Sequence, residues 1–265
     1  QHINISQESL EKANITLPSL PEQTKIADFL STVDNKIQNQ QDKITHLENI
    51  KKGFMQKIFS RKIRFKDDGG EAFPEWEEKK ITDIANTYIG LVTTMTSHYK
   101  DVGVPLIRNS DVKENKFIFK DPIFLDDEFA KLNKARMHKI DDIITVHTGD
   151  VGTSAIIDKN LEGSLGFATI VTRIIDKNKY SPVYICHYHN SCVYKNYIMN
   201  MITGDGRNNL NMKDFNKSII PLPCLKEQQK IADFLSSFDE KISTEKETLE
   251  HLKQLKKGLL QQMFI

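Results

Sequence analysis

The sequence predicts an α+β protein in which one globular domain is flanked by two long helices that form an antiparallel coiled coil. Three observations support this prediction: a segment repeated at both ends of the chain, a heptad pattern inside each copy, and a central region of short alternating segments. Both copies of the repeat contain the motif K-I-A-D-F-L-S, at residues 25–31 and 230–236.

The repeat is long enough to define a structural unit. Residues 17–59 align with residues 222–264 at a constant offset of 205, and 22 of the 43 aligned positions are identical. Both copies carry apolar residues at steps of three and four, which is the spacing of a heptad seam. Each copy is therefore predicted to form one helix of about 36 residues, roughly 54 Å long at 1.5 Å per residue.

The two helices are predicted to pack antiparallel. The first enters the central domain by its C-terminus, and the second leaves the domain by its N-terminus. Polar residues interrupt the seam at equivalent positions, first at Gln40 and Glu245 and then at Lys51 and Lys256. A polar residue in a seam costs stability but fixes register and partner number. An approximate twofold axis between the helices is the expected result.

The central region predicts a domain of mostly antiparallel character. Short alternating segments indicate strands, and the segment that follows Pro182 indicates one amphipathic helix. The predicted strands lie at 91–96, 104–108, 116–120, 142–148, 154–158 and 167–175, and the predicted helix lies at 181–203. The predicted domains are a tail of a preceding domain (1–21), a first helix (22–60), the globular domain (61–226) and a second helix (227–265).

Composition restricts the possible partners and compartments. No apolar run reaches the roughly 18 residues of a membrane span, and no signal peptide is visible, so no membrane partner and a cytoplasmic location are expected. Three cysteines do not suggest a disulfide framework. With a net charge of +1, a nucleic-acid-binding protein must rely on positioned contacts rather than on general attraction to polyanions.

Motifs of catalysis and cofactor binding are missing from the sequence. The segment 121–124 lacks the second proline of an amino-methyltransferase motif, and the segment 149–154 lacks the lysine of a phosphate-binding loop. Cys186, His187, His189 and Cys192 invite a zinc interpretation, but the two histidines lie about 200° apart around the predicted helix. The sequence therefore predicts no catalytic, cofactor-binding or metal-binding residues in this chain.

Three polar loops in the central domain are candidates for nucleic-acid contacts. Arginine and asparagine make paired hydrogen bonds to base edges, whereas serine, threonine and lysine hold phosphates. Ordinary turn chemistry is the favoured explanation for each loop when it is taken alone, since Gly, Asn, Asp and Ser favour turns. The candidate DNA-binding residues are Arg108, Asn109, Ser110, Lys113, Thr148, Thr153, Ser154, Arg207, Asn208, Asn209, Asn211 and Lys213.

Specific motifs make the chain resemble the specificity subunit of type I restriction-modification enzymes. These motifs are the paired lead-ins Leu-Pro-x-Leu-x-Glu-Gln at 17–23 and 222–228, each running into K-I-A-D-F-L-S, and the segment F-K-D-D-G-G-E-A-F-P-E-W-E-E-K-K-I-T-D-I-A at 65–85. The last segment looks like the opening of a target-recognition domain. The resemblance covers essentially the whole chain, but a complete family member has two recognition domains and this chain has one.

The resemblance implies a non-catalytic subunit that recognises double-stranded DNA. A recognition domain of this family reads one half of a bipartite site, while the helices act as a ruler and dock two modification (methyltransferase) subunits. S-adenosylmethionine and ATP are expected in the partner subunits, with restriction subunits joining for cleavage, and no cofactor is expected in this chain. A rod of roughly 54 Å spans at most about 16 base pairs, consistent with half-sites about one helical turn apart.

Two alternatives stay open at this point. One is a coiled-coil oligomerisation or adaptor protein whose central domain binds protein. The other is a half-subunit that forms a self-dimer through its helices and reads a palindromic split site. The coiled-coil adaptor explains the helices equally well but does not explain the doubled lead-in.

Overall fold

A computed structural model describes residues 17–201 and 209–263 of the chain. The chain divides into two compact units, one comprising Gln1–His46 with Ile242–Ile265 and the other comprising Leu47–Lys241. Within the described ranges, no helix combines the length and the hydrophobicity needed to cross a membrane. The predicted tail at 1–21 lies mostly outside the described residues.

The described residues form seven α-helices and twelve β-strands. The helices are α1 (Leu20–Phe59), α2 (Ile81–Ile84), α3 (Asp127–Leu132), α4 (Pro182–Asn190), α5 (Cys192–Met201), α6 (Met212–Phe215) and α7 (Leu225–Met263). The strands are β1 (Glu77–Lys80), β2 (Ala85–Ile89), β3 (Tyr99–Lys100), β4 (Val104–Arg108), β5 (Val112–Lys113), β6 (Lys116–Phe117), β7 (Ile123–Leu125), β8 (Ile143–Thr145), β9 (Ser154–Ile156), β10 (Leu165–Phe167), β11 (Ile170–Ile174) and β12 (Ile219–Leu222).

The smaller unit is an antiparallel helix pair, as predicted. Gln40 Nε2 on α1 donates to the backbone carbonyl of Glu245 on α7 at 2.9 Å and to its Oε2 at 2.7 Å. Asp34, earlier in α1, pairs with Lys256, later in α7. Earlier residues of α1 therefore contact later residues of α7, so the two helices run antiparallel. Apolar seam residues that are buried beside these polar pairs include Val33, Ile44, Ile242 and Leu249.

Two four-stranded sheets form the framework of the larger unit within its described residues. The first has the order β2-β11-β8-β9 and is antiparallel throughout. The second has the order β10-β4-β7-β3, with β10 parallel to β4. Two-stranded pairs join β1 to β12 and β5 to β6. The predicted α+β class with mostly antiparallel strands is confirmed.

The first sheet is covered on both faces. Ile143 belongs to a core shared with α4, α5 and the inner parts of α1 and α7, whereas the next residue, Ile144, belongs to a second core with β4 and β5. Ile170 and Val171 on the neighbouring strand alternate in the same way. This two-residue alternation is the geometry of a pleated strand that is buried on both sides.

Two predicted elements differ from the structure. The single helix expected at 181–203 is two helices, because Ser191 Oγ donates to the Tyr188 carbonyl at 2.6 Å and accepts from the Tyr194 backbone N–H at 3.2 Å. The strand expected at 91–96 is a loop that makes one bridge from Leu91 to Phe167. Leu91 and Met95 are both buried, so this loop folds inward at each of its ends.

The second lead-in joins α7 to the opening segment of the globular domain. Glu227 has no exposed surface, and its carboxylate accepts from Arg64 Nε at 2.9 Å, Arg64 Nη2 at 3.0 Å and Trp76 Nε1 at 3.0 Å. Gln228 Oε1 accepts from the backbone N–H of Ser181 at 2.8 Å. The paired lead-in residues therefore hold the start of α7 against the domain.

Candidate nucleic-acid interface

Three loops that were identified separately from the sequence lie side by side in the larger unit. The backbone N–H of His147 donates to Asn109 Oδ1 at 3.3 Å. Asn209 Oδ1 accepts from His147 Nδ1 at 2.8 Å and from Thr148 Oγ1 at 3.2 Å. The backbone N–H of Leu210 donates to the His147 carbonyl at 2.8 Å. Residues 109–113, 147–150 and 209–213 thus form one continuous surface, called here the three-loop surface.

The three-loop surface presents polar side chains that suit DNA. Lysine, serine and threonine contact phosphates, and asparagine can pair with an adenine edge in the major groove. Asn109 is half-buried, because its amide also braces the surface by donating from Nδ2 to the Ala168 carbonyl at 3.1 Å. The exposed candidates on the surface are Ser110, Lys113, Thr148, Asn209, Asn211 and Lys213.

Arg108 stabilises the first loop by hydrogen bonds within the domain. Its Nε and Nη2 donate to the buried Asp111 carboxylate at 3.0 and 2.9 Å, and Nη2 also donates to the Asp121 carbonyl at 2.8 Å. The hydrogen bond that Arg108 donates to Asp111 raises the pKa of the Arg108 guanidinium above its ordinary value. Its side chain is 27% exposed, so most of the predicted base-reading group is engaged in holding the turn 109–111.

The third loop ends in a capped helical turn. Asn211 Oδ1 accepts from the backbone N–H of Asp214 at 2.9 Å, which makes Asn211 the N-cap of α6. Hydrogen bonds from Lys217 and Asn211 lower the pKa of the Asp214 carboxyl. The exposed Lys213 lies in the first turn of α6, so its ammonium extends from a fixed backbone.

Two predicted contacts are corrected by the structure. The side chains of Thr153 and Ser154 have no exposed surface. Ser154 Oγ lies 2.8 Å from Thr145 Oγ1, and the Ser154 backbone is held on both sides by Asn190. A buried hydroxyl cannot contact a phosphate on the folded surface, so these residues support the second loop from inside. The sequence pattern did not reveal this, because strand β9 begins within the polar run.

Arg207 and Asn208 lie outside the described residues, and their DNA contacts stay predictions. His147, which was not among the candidates, contacts all three loops and is the main addition from the structure. Its position at the end of a predicted strand, next to Thr148, was the available signal. Isolated histidines are usually structural, which is why that signal was weak.

A fourth loop borders the three-loop surface. The backbone N–H of Leu91 donates to the Gly166 carbonyl at 2.6 Å, and the N–H of Ala168 donates to the Leu91 carbonyl at 2.8 Å. A Cβ on Gly90 would lie 2.4 Å from the Gly166 carbonyl oxygen, so this crossing requires glycine. Beside the crossing, Val92 is 65% exposed. The hydrogen bond from Asn109 Nδ2 to the Ala168 carbonyl joins this crossing to the three-loop surface.

Comparison with known proteins identifies the family. The model of the type I restriction modification DNA specificity domain matches residues 1–49 and 74–254. The chain belongs to this specificity-domain family. The match includes most of α1 and α7 and all of the three-loop surface.

Relatives of the specificity-domain family share modest sequence identity with the chain. The MjaVIII specificity subunit of Methanocaldococcus jannaschii is 24% identical over 267 residues, which cover 97% of this chain and 62% of the relative. The EcoKI specificity subunit of Escherichia coli K12 is 29% identical over 168 residues, which cover 62% of this chain and 36% of the relative. The chain thus spans less than two thirds of the length of these relatives.

Solved structures of specificity subunits have a similar fold. The S subunit of a type I restriction-modification system from M. genitalium superposes with a TM-score of 0.62 at 16% identity, covering 93% of this chain and 62% of that one. The HsdS subunit from Thermoanaerobacter tengcongensis gives a TM-score of 0.54 at 18% identity, covering 94% and 59%. The arrangement of long helices and a mixed domain is therefore a fold shared with these proteins.

Proposed function

We propose that this chain is a DNA-reading part of a type I restriction-modification specificity subunit, and that its three-loop surface reads one half of a bipartite site. The observation that carries the proposal is the hydrogen-bonded union of the three loops through His147 and Asn209, in a chain of the specificity-domain family. Loops joined in this way keep a fixed spacing, which base-edge recognition requires.

The charge of the chain favours positioned contacts. A net charge of +1 gives little long-range attraction to a polyanion. Lys113 and Lys213 stand on different loops of the surface, so each can hold a separate phosphate. Asn209 Oδ1 already accepts from His147 and Thr148, so Asn209 would read a base by donating from Nδ2 to an acceptor on the base edge. Double-stranded DNA is the proposed partner, and recognition depends on where these few groups stand.

The helices are the proposed ruler and docking platform. The 43-residue repeat gives α1 and α7 similar sequences, which suits the docking of two modification subunits at equivalent places. S-adenosylmethionine and ATP would then belong to the modification and restriction subunits, and the proposed role of this chain is binding without catalysis. A location in the cytoplasm follows from this role.

Mapping of methylated adenines tests the proposed function. The chain would be expressed with type I modification subunits in a host that lacks adenine methylation, and every methylated adenine in the genome would be mapped. The expected result is methylation within one bipartite motif. Replacing Asn209 with alanine should relax one position of a half-site at a cost of about 1–3 kcal/mol in binding.

Absence of any enriched motif, with the complex intact by mass measurement, would contradict DNA reading and favour an adaptor role. The same mass measurement tests the predicted self-dimer. A chain that reads a palindromic split site as a dimer should show twice the monomer mass before the modification subunits are added.

A further inference from the structure

Asn115 occupies the turn of the hairpin formed by β5 and β6, and its amide is fully engaged. Nδ2 donates to Asp239 Oδ2 at 3.1 Å and lies 3.3 Å from His187 Nδ1. Oδ1 accepts from Asn190 Nδ2 at 2.7 Å and from Cys186 Sγ at 3.4 Å. An asparagine amide offers two donors and two acceptor positions, so this side chain uses its whole hydrogen-bonding capacity.

Asn115 is also connected to the three-loop surface by hydrogen bonds through Ser154 and Asn190. The backbone N–H of Asn115 donates to the Ser154 carbonyl at 2.9 Å. Asn190 holds Ser154 as well, by donating to its carbonyl at 2.9 Å and accepting from its N–H at 2.8 Å. Ser154 follows the second loop of the three-loop surface, and Lys113 of the first loop lies two residues before Asn115.

The hydrogen-bond network of Asn115 also includes residues of both long helices. Asp239 on α7 accepts from Asn115 through Oδ2 and from Lys51 of α1 through Oδ1, and Lys51 is buried. His187 Nε2 lies 3.2 Å from Ser236 Oγ. Burial lowers the pKa of His187 to about 3, so the imidazole is neutral, with Nδ1 available to accept from Asn115. All of these residues belong to the unit Leu47–Lys241.

We propose that Asn115 is a positioning residue that fixes the direction of the three-loop surface relative to the inner segments of the helices, residues 47–59 and 225–241. One side chain bonds a group on α7 and three groups on α4, while its backbone bonds β9. A rotation of the loops against the helices must break several of these bonds together. No other described residue of the hairpin turn has this set of contacts.

The proposal rests on the proposed function for its consequence in DNA recognition. If the helices set the distance between half-sites, the direction of the reading surface decides which spacer lengths bring both half-sites into contact. Loss of the Asn115 amide should widen the range of accepted spacers. The bases that are read should stay the same, because the contacts among the three loops do not pass through Asn115.

Two variants separate positioning from backbone strain. Asn115 has a φ of 58°, in the left-handed region that glycine adopts without cost, so Asn115→Gly removes the amide and keeps the turn. Asp141 has a φ of 71° and pairs at the surface with Lys177. Asp141→Gly is therefore the matched control, with the same backbone change away from the network.

Spin-label distances test the proposal in the chain itself. Labels carried by unnatural amino acids at the exposed positions Lys52 and Lys213 report a distance from α1 to the three-loop surface. For Asn115→Gly the distance distribution should be about twofold broader than in the wild type, while Asp141→Gly should match the wild type. A distribution in Asn115→Gly as narrow as in the wild type, even with a lower melting temperature, would show mere stabilisation and overturn the proposal.

A DNA-selection experiment distinguishes failure of this proposal from failure of the proposed function. The complex with modification subunits would be selected on DNA libraries with randomised bases and randomised spacer lengths. Asn115→Gly should bind the same bases with neighbouring spacer lengths added, and an unchanged spacer preference would contradict the recognition consequence. If the wild-type complex selects no sequence, the proposed function fails, and the spin-label widths alone decide the role of Asn115.

Discussion

The two lead-ins have the same sequence motif and different surroundings. Gln23 Nε2 donates to the Pro18 carbonyl at 2.8 Å, and the equivalent Gln228 Nε2 donates to the Pro223 carbonyl at 2.8 Å. Glu22, however, is exposed, whereas the equivalent Glu227 is fully buried against Arg64 and Trp76. Local hydrogen bonds follow the motif, and tertiary contacts depend on the domain beside it.

This comparison teaches that the motif serves two purposes. One is to start a long helix, which both copies do. The other is to bind the opening segment of a globular domain, which the second copy does within the described residues. Equivalent positions in the two copies therefore give matched variants, in which a substitution in the first copy is the control for the same substitution in the second.

The largest difference is expected at the glutamates. Glu227→Ala removes the buried partner of Arg64 and leaves the indole N–H of Trp76 without its acceptor, at a cost of about 4 kcal/mol in unfolding free energy. Glu22→Ala should change the same quantity by less than about 0.5 kcal/mol. Urea unfolding followed by Trp76 fluorescence measures both. Equal losses in the two variants would show that the motif, rather than its surroundings, determines stability.

The leucines that open the two lead-ins should differ next. Leu222 is 4% exposed and Leu17 is 73% exposed. Leu222→Ala creates a cavity beside the domain core and should cost about 3 kcal/mol, whereas Leu17→Ala should cost about 0.5 kcal/mol or less. Thermal unfolding of the two variants checks this. A cost for Leu17→Ala as large as that for Leu222→Ala would mean that the first copy is also packed in solution.

A smaller contrast is expected at the glutamines. Gln228→Ala leaves the buried backbone N–H of Ser181 without an acceptor, at a cost of about 2 kcal/mol. Gln23→Ala loses the shared bond to the proline carbonyl, worth about 0.5–1 kcal/mol. Hydrogen exchange at Ser181 provides a second measurement, since protection there should fall in Gln228→Ala alone. Unchanged protection would remove Gln228 from the anchoring contacts.

Acid should destabilise the globular domain through His189, a buried histidine on α4. Burial lowers the pKa of His189 to about 3, while an unfolded histidine titrates near about 6.5. Below about pH 6.5 His189 is protonated in the unfolded chain but stays neutral in the folded chain. The unfolding free energy therefore falls as the pH is lowered, until about pH 3. His189→Phe should reduce this slope by about 1.4 kcal/mol per pH unit, measured by urea unfolding between about pH 6 and pH 4. An unchanged slope would contradict the neutral buried state.

The features that could be predicted from the sequence are those that depend on local periodicity. The heptad spacing predicted α1 and α7, and the order of the two helices around the domain predicted their antiparallel packing, in which Gln40 contacts Glu245. Strand β4 was predicted at its observed bounds, and its apolar residues Leu106 and Ile107 lie in cores on opposite faces of the strand. These patterns could be recognised because they depend only on residues that are close together in the sequence.

The features that escaped prediction depend on distant partners. Ser191 interrupts the helix by its hydroxyl bonds, which no periodicity displays. Thr153 and Ser154 match the composition of a reading loop, but packing under α4 buries them. His147 gained its place among the candidates only when its contacts with Asn109 and Asn209 were seen. Composition alone could not separate the exposed polar residues from the buried ones.

The central claim is that the three-loop surface reads DNA sequence. Its most direct test is selection of a random double-stranded DNA library by the complex with modification subunits, using the wild type, Asn209→Ala, Lys213→Ala and the control Lys159→Ala. We predict a defined half-site for the wild type and the control, relaxation at one base position for Asn209→Ala, and uniformly weaker binding for Lys213→Ala. The same selected sequence and the same affinity in all four proteins would contradict the claim.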